Sequence, residues 1–232
     1  MRRTIHQHDA NARHEGAARL GWVRGLLAVG ACVAVASIGS SCNLDPVHRA
    51  GVNGLGPEEA DLYPVESEYH RPGEPCALCH STNGPADSVF VLGGTVFWGP
   101  DDYNARVDNA YVRILDANKT KRCFVTNCNG NFYVRKEDFS KITFPLLVSV
   151  ERTVKPGQGD ENTLVIRRMS SHIGREASCA TCHIQGLRDF ASPGQIRMFN
   201  SEQEFKDKNI PLIDCPPPED FVQVEKCPED RN

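Results

Sequence analysis

Short apolar stretches alternate with polar turns through the middle of the chain, a pattern typical of β-strands. The stretches are rich in Val, Ile, Phe and Tyr, and Gly, Pro, Asn and Asp separate them. The pattern predicts strands at 88–98, 110–116, 122–126, 132–135, 145–151 and 164–167. Because side chains alternate between the two faces of a strand, three pairs are expected to point inward: Val112 and Ile114, Phe132 and Val134, and Val148 and Val150.

Two local signals mark the ends of elements. Asn129-Gly130 lies between the third and fourth predicted strands, and Asn-Gly is a preferred dipeptide of two-residue hairpin turns. We therefore expect these two strands to pair as a hairpin. Later in the chain, Ser201 with Glu204 three residues on predicts the N-terminus of a short helix over 201–208.

Composition narrows the class of protein. The chain has 232 residues, with 26 Lys and Arg against 30 Asp and Glu, so its net charge is −4. An acidic chain without basic blocks does not have the charge pattern of a nucleic-acid-binding protein. Its 40% of apolar residues are too many for a disordered chain, and ten cysteines are many for a reduced cytosolic protein.

The first 41 residues have the order of an export signal. Arginines are frequent over 1–24, an uncharged apolar run covers 26–38, and small residues follow at 39–41. Small residues directly before Cys42 make this segment resemble a bacterial lipoprotein signal, in which that cysteine is lipidated. The resemblance implies a membrane anchor at Cys42 and, because Asn43 follows in place of Asp, an outer-membrane location. An ordinary secretory signal cut nearby is the alternative.

Two segments of the chain carry the motif C-x-x-C-H. The first consists of Cys76, Cys79 and His80, and the second of Cys179, Cys182 and His183. Cysteines three residues apart lie on one face of a helical turn, so both sulfurs reach the two vinyl groups of one haem. The adjacent histidine becomes the proximal iron ligand. The motifs therefore predict two covalently bound c-type haems, which agrees with export from the cytoplasm.

Two other interpretations of the cysteine pairs explain less. A four-cysteine zinc site would use both C-x-x-C pairs but leaves the two following histidines without a role. A thioredoxin-like redox pair expects a βαβ context, which the strand pattern does not provide.

A histidine also precedes each motif. His70 lies six residues before the first motif and His172 lies seven residues before the second, each with a glycine in the spacer. We expect these histidines to be distal iron ligands, each for its own haem or exchanged between the two. Met169 and Met198 are the alternative ligands. Ligation by two histidines predicts low-spin iron of low potential.

With two motifs and little sequence around each of them, the chain resembles multihaem c-type cytochromes. The strand region between the motifs resembles another family, through Gly-Thr-Val at 94–96, V-x-x-A-x-V at 107–112 and T-x-x-x-G-x-F at 126–132. Over 90–151 the chain is similar to the carboxypeptidase regulatory-like, transthyretin-like β-sandwich family. That resemblance implies an immunoglobulin-like sandwich. Because the region contains no histidine that could bind iron, we expect it to have a structural role, as a spacer or docking surface and as a clamp for the two haem segments.

Four cysteines remain once Cys42 and the two motifs are assigned. An even number of unassigned cysteines in a protein of an oxidising compartment predicts that they form disulfides, here two. Of the three possible pairings, proximity favours Cys123–Cys128 beside the predicted hairpin and Cys215–Cys227 in the tail.

The sequence thus predicts a mainly β fold, in which a transthyretin-like sandwich is flanked by loop-rich, partly helical haem segments. The expected order is signal, tether, first haem segment, sandwich, second haem segment and tail, over 1–41, 42–75, 76–87, 88–152, 153–200 and 201–232. The expected function is non-enzymatic electron transfer at the cell envelope, with redox proteins as partners and a lipid anchor in the membrane. A dihaem peroxidase-like enzyme and a haem-free sandwich that binds an envelope partner are the alternatives.

Overall fold

The computed structural model describes residues 45–58, 67–100, 104–154, 162–187, 191–217 and Cys227. The chain divides into two compact units, residues 1–49 and 50–232. Helix α1 covers Pro46–Gly54. The predicted export signal and Cys42 lie outside the described residues. Among the residues that are described, no helix has the length and apolar character needed to cross a membrane.

The described residues form seven strands in two sheets. The strands are β1 Phe90–Phe97, β2 Tyr111–Leu115, β3 Lys121–Val125, β4 Asn131–Arg135, β5 Leu147–Val154, β6 Thr163–Arg168 and β7 Ile196–Arg197. One sheet has the order β4-β1-β7 and the other β3-β2-β5-β6. The prediction of a mainly β fold of sandwich type is therefore confirmed, and β1 to β6 match the six predicted strands. Strand β7 was missed because its two residues are too few to show alternation.

Alternating apolar side chains form the core. All six side chains that were predicted to point inward are buried: Val112, Ile114, Phe132, Val134, Val148 and Val150. An aromatic cluster extends this core, in which Trp98 stacks on Phe205 with ring centroids 6.0 Å apart. Phe205 belongs to helix α2, Glu202–Asp207, whose N-terminus is capped by the Ser201 hydroxyl as predicted. Removal of such apolar side chains from water stabilises the fold by about 1.5–3 kcal/mol each.

The predicted hairpin between β3 and β4 is wrong. These strands lie in different sheets, and the turn at 127–130 carries the chain from one sheet to the other. Gly130 has a φ of 72°, and its N–H donates to the carbonyl of Asn127 at 2.9 Å. The dipeptide therefore located the turn correctly. The sheet that receives β4 is decided by its long-range antiparallel pairing with β1, which turn chemistry does not encode.

The described residues 67–75 differ from the predicted tether, because they pack against the sandwich. Tyr69 is 1% exposed. Side-chain amides of Asn127, Asn129 and Asn131 donate hydrogen bonds to backbone carbonyls in this segment. Because this segment is attached through its backbone carbonyls, its sequence has no hydrophobic periodicity. The packing of the segment against the sandwich could therefore not be predicted.

The structure contains two disulfides, as predicted, but their predicted pairing is wrong. Cys123 pairs with Cys227, and Cys128 pairs with Cys215. The pairing Cys123–Cys128 depended on the hairpin, and β3 and β4 separate into two sheets instead. The observed disulfides span 104 and 87 residues and join the C-terminal tail to the sandwich. Loops of this length correspond to about 4–5 kcal/mol of stabilisation each in the chain-entropy description.

Digestion with trypsin without reduction distinguishes this pairing from the one predicted from the sequence. The four cysteines then fall on three peptides, 123–135, 209–226 and 227–231, of which the first carries two. We expect mass spectrometry to find all three peptides linked in one species, because both disulfides join the first peptide to the tail. Release of peptide 123–135 alone with an internal disulfide would contradict the structure.

Candidate functional site

Each C-x-x-C-H motif begins with a short 3-10 turn, and both turns contact strand β1. The first motif turn covers Cys76–Leu78 and the second motif turn covers Cys179–Thr181. The N–H of His80 donates to the carbonyl of Cys76 at 2.9 Å, and the N–H of His183 donates to that of Cys179 at 2.8 Å. The two motifs therefore have the same local backbone structure.

Two glycines of β1 allow this close approach. A Cβ on Gly93 would lie 3.4 Å from the Sγ of Cys76. A Cβ on Gly94 would lie 2.7 Å from the Cβ and 2.9 Å from the Sγ of Cys179. The second motif turn is also bound through the backbone, since the Gly93 N–H donates to the carbonyl of Ala177 at 2.8 Å. A glycine inside a strand often marks such an approach, so Gly93-Gly94 was a visible signal in the sequence.

The histidines of the two motifs share one hydrogen-bond pattern. The Nδ1 of His80 lies 3.0 Å from the carbonyl oxygen of Ser88, and the Nδ1 of His183 lies 2.8 Å from that of Gly194. A carbonyl oxygen only accepts, so Nδ1 is the donor in both rings, and in the neutral form of each ring Nε2 carries the lone pair. This is the tautomer in which an imidazole binds a metal through Nε2.

Burial lowers the pKa of both imidazoles. The hydrogen bonds to the carbonyl oxygens act in the opposite direction and offset part of this effect. Electrostatic interaction with Arg135 and with the neighbouring His70 ring lowers the pKa of His80 further, and Arg197 does the same for His183. Both rings are therefore held in the neutral form at neutral pH.

All four motif cysteines are free thiols, whereas the other four described cysteines are paired. Burial raises the pKa of Cys76 to about 11 and that of Cys179 to about 12. A redox-active or nucleophilic cysteine needs a lowered pKa, so these thiols do not fit a thioredoxin-like pair. Within the described ranges, no group of three or more His, Cys, Asp or Glu side chains is placed to hold a metal ion. The four-cysteine zinc site is therefore not assembled there.

The structure brings His70 to the first motif. Its ring centroid lies 5.8 Å from that of His80, at an interplanar angle of 35°. The Nδ1 of His70 is hydrogen-bonded to the carbonyl of Ser67, so in the neutral ring Nε2 carries the lone pair. His80 in turn stacks on Phe90, with centroids 3.9 Å apart. The two histidines and both cysteines of the first motif line a cleft of about 160 Å³.

The second motif lines a separate cavity of about 540 Å³ together with His172 and Met169. His172 is exposed, and among the described residues no ring contact joins it to His183. Met169 packs against the core, whereas Met198 is fully buried and lines neither cavity. Each upstream histidine therefore lines the same cavity as the motif that follows it in the sequence.

Several residues that hold the sites were missed from the sequence. They are the carbonyl partners Ser88 and Gly194 and the asparagines of the turn between β3 and β4. A backbone carbonyl has no residue-specific signature, so the partners of the histidine rings could not be identified before the fold was known.

Comparison of the chain with known proteins gives no match: no family model, no curated protein and no solved structure matches it. Its function is therefore inferred from its own residues and their geometry.

Substitution of Gly94 tests the contact between β1 and the second motif turn. We expect Gly94→Ala to lower the free energy of unfolding by about 1–3 kcal/mol, because the added methyl group overlaps the Cβ and Sγ of Cys179. Gly174→Ala is the matched control, since its Cβ would meet nothing within 4 Å, and a change below about 0.5 kcal/mol is expected for it. Urea unfolding measures both variants. Equal effects of the two substitutions would show that the turn does not contact β1.

Proposed function

We propose that the protein is an exported dihaem c-type cytochrome that transfers electrons at the cell envelope. One observation carries this proposal. In both C-x-x-C-H motifs the two thiols are free, and the histidine is fixed by a backbone carbonyl in the tautomer that leaves Nε2 for a metal. Zinc or disulfide chemistry would use the cysteines but would not require this arrangement of both rings.

The residues of the first site fit an iron with two imidazole ligands. Imidazole nitrogens bind a metal at about 2.0–2.1 Å, so two imidazoles that would hold one iron must lie close together. The centroids of His70 and His80 lie 5.8 Å apart, and both Nδ1 atoms are engaged elsewhere. A haem with two imidazole ligands supplies a low-spin iron that takes up and releases one electron.

Covalent attachment explains how a shallow site would hold a large group. Pockets that enclose a small molecule measure about 300–1,000 Å³, and the first cleft measures only about 160 Å³. Thioether bonds from Cys76 and Cys79, and from Cys179 and Cys182 in the second site, would replace enclosure as the means of retention. A partly exposed group would also be accessible to a redox partner.

The remaining residues of the first site hold the ligands in place. Tyr133 stacks on Phe90 with centroids 5.0 Å apart, and Phe90 stacks on His80. The carbonyl of Ser88 fixes the orientation of the same ring. Ligands that are already fixed need little rearrangement when the charge of the site changes, which favours electron transfer over ligand exchange.

We propose further that the sandwich belongs to the transthyretin-like class and that it serves as a clamp for the two sites. The three segments that carry the resemblance coincide with β1, with β2 and the residues before it, and with the crossing from β3 to β4. Contact of both motif turns with β1 supports the structural role. The export signal and the small residues before Cys42 support an outer-membrane lipoprotein whose partners are redox proteins of the envelope.

Haem content tests the proposal directly. Protein matured in a periplasmic cytochrome c system is expected to have an intact mass increased by two haems and a c-type band in the pyridine haemochrome spectrum. Replacement of both cysteines of one motif by alanine should reduce the increase to one haem, for either motif. Cys128→Ala with Cys215→Ala is the control, because it removes two cysteines of a disulfide and should leave two haems. Wild-type protein with no haem, or with bound zinc, would overturn the proposal.

A second candidate function is favoured by the difference between the two sites. The second cavity is larger, and its upstream histidine, His172, is exposed and makes no ring contact with His183 in the described structure. An iron with one open position in this cavity would bind a small external ligand, as in the peroxidase-like alternative.

Carbon monoxide distinguishes the two functions. If both haems have two histidine ligands, the reduced wild-type protein should bind no carbon monoxide. His70→Ala and His172→Ala should then each convert one haem to high spin and create one binding site. Binding of carbon monoxide at one haem of the wild type, unchanged in His172→Ala, would favour the second function and would reject His172 as a ligand.

A further inference from the structure

The backbone of residues 68–70 is held by three amide side chains from the turn between β3 and β4 and from the first residue of β4. The Nδ2 atoms of Asn127, Asn129 and Asn131 donate in turn to the carbonyl oxygens of residues 68, 69 and 70, at 2.7, 2.5 and 3.0 Å. Alternate residues of one segment thus bind consecutive carbonyls of another. We call these three residues the asparagine clamp.

The amide oxygens of the clamp are also engaged, which fixes the orientation of each side chain. The Oδ1 of Asn127 accepts from the N–H groups of Asn129 and Asn131, both at 3.0 Å. The Oδ1 of Asn131 accepts from the Thr95 hydroxyl at 2.7 Å, and that of Asn129 accepts from the Arg106 guanidinium. The three asparagines are 2%, 3% and 9% exposed. A flipped amide would therefore leave buried donors and acceptors without partners.

The same network extends along the chain beyond His70. The N–H of Gly73 donates to the Thr95 hydroxyl at 2.7 Å, so the segment is held before and after the point where it turns toward the first motif. That turn uses left-handed backbone at Arg71 and Gly73, with φ values of 45° and 80°. The ring of His70 is bound to the carbonyl of Ser67, so the position of this backbone determines the position of the ring.

We propose that the asparagine clamp positions His70 as the second imidazole ligand of the first site. This inference rests on the proposed function. Hydrogen bonds to three consecutive carbonyls define the backbone more narrowly than burial of Tyr69 alone would, because apolar contacts tolerate sliding and directional bonds do not. A metal ligand requires placement to within about 0.5 Å. Such a clamp would maintain the approach of the His70 ring to the His80 ring, with centroids 5.8 Å apart.

Replacement of each asparagine by aspartate tests this role in the dihaem protein. Aspartate keeps the side-chain shape and an accepting oxygen but replaces the donor with an anionic oxygen that faces a carbonyl. We expect the ratio of high-spin to low-spin iron at the first haem to increase about tenfold or more, as measured by electron paramagnetic resonance and optical spectra. Added imidazole should restore the low-spin signal, because it replaces the displaced ligand. A purely structural role would lower the free energy of unfolding of the variants without raising the high-spin fraction at the first haem of the folded protein.

The effect should be largest for Asn131→Asp, because this residue donates to two carbonyls, those of residues 68 and 70. Asn129→Asp should disturb folding least, since the carboxylate would keep its hydrogen bond from Arg106 and pair with the charge of that side chain. Asn118→Asp is the matched control. It makes the same chemical change at an exposed turn, where the amide donates to Thr143 at 2.8 Å, and it should leave the spectrum unchanged.

The outcomes separate this inference from the proposed function. Variants with both haems attached and an unchanged low-spin spectrum would overturn the positioning role and leave the proposed function in place. Wild-type protein without haem would overturn the proposed function and the positioning role together. High-spin iron that appears equally in Asn118→Asp would also overturn the positioning role, because that residue lies outside the clamp.

Discussion

The arrangement of both sites depends on the close approach of two cysteine turns to the backbone of strand β1. Consecutive residues of a strand face opposite sides, so a Cβ on Gly93 would point toward Cys76 and a Cβ on Gly94 toward Cys179. Gly94 therefore admits the second turn at a distance that a Cβ would not allow, whereas a Cβ on Gly93 would meet Cys76 at contact distance. A side chain at position 94 would require a local shift of the strand or of the second turn.

The second motif shows how a loop-rich segment can be held firmly by a strand. On one side of the motif, the carbonyl of Ala177 accepts from Gly93, and Ser178 forms a parallel bridge with the same residue. On the other side, β7 pairs in parallel with Val96 and Phe97. The motif is thus a loop between two attachments to one edge of β1. The carbonyl of Gly194, which binds the His183 ring, lies just before the second attachment.

The sequence was sufficient for features that depend on local pattern. Alternation located β1 to β6, and the Ser201 cap located α2, because burial and capping act over a few residues. The sequence did not determine which strands pair with each other or which cysteines form disulfides. The Asn129-Gly130 signal described the turn but not the sheet that β4 joins, and the wrong pairing of Cys123 followed from that one error. The asparagine clamp could not be predicted either, because three asparagines near a glycine are ordinary turn composition and the sequence does not show which groups they hydrogen-bond.

The two upstream histidines lie at similar distances in sequence from their motifs, but their structural surroundings differ. The spacing therefore does not determine how firmly each side chain is held. The backbone at His70 is bound by the clamp, and its ring is bound to Ser67. His172 is exposed, and its carbonyl accepts a bond from the hydroxyl of the neighbouring Ser171 at 3.3 Å. Fixing an exposed side chain as a ligand costs conformational entropy that a side chain already held in place does not lose. Under the proposed function, an iron in the second site would therefore lose His172 more readily than an iron in the first site would lose His70, and an external ligand would reach the second site more easily.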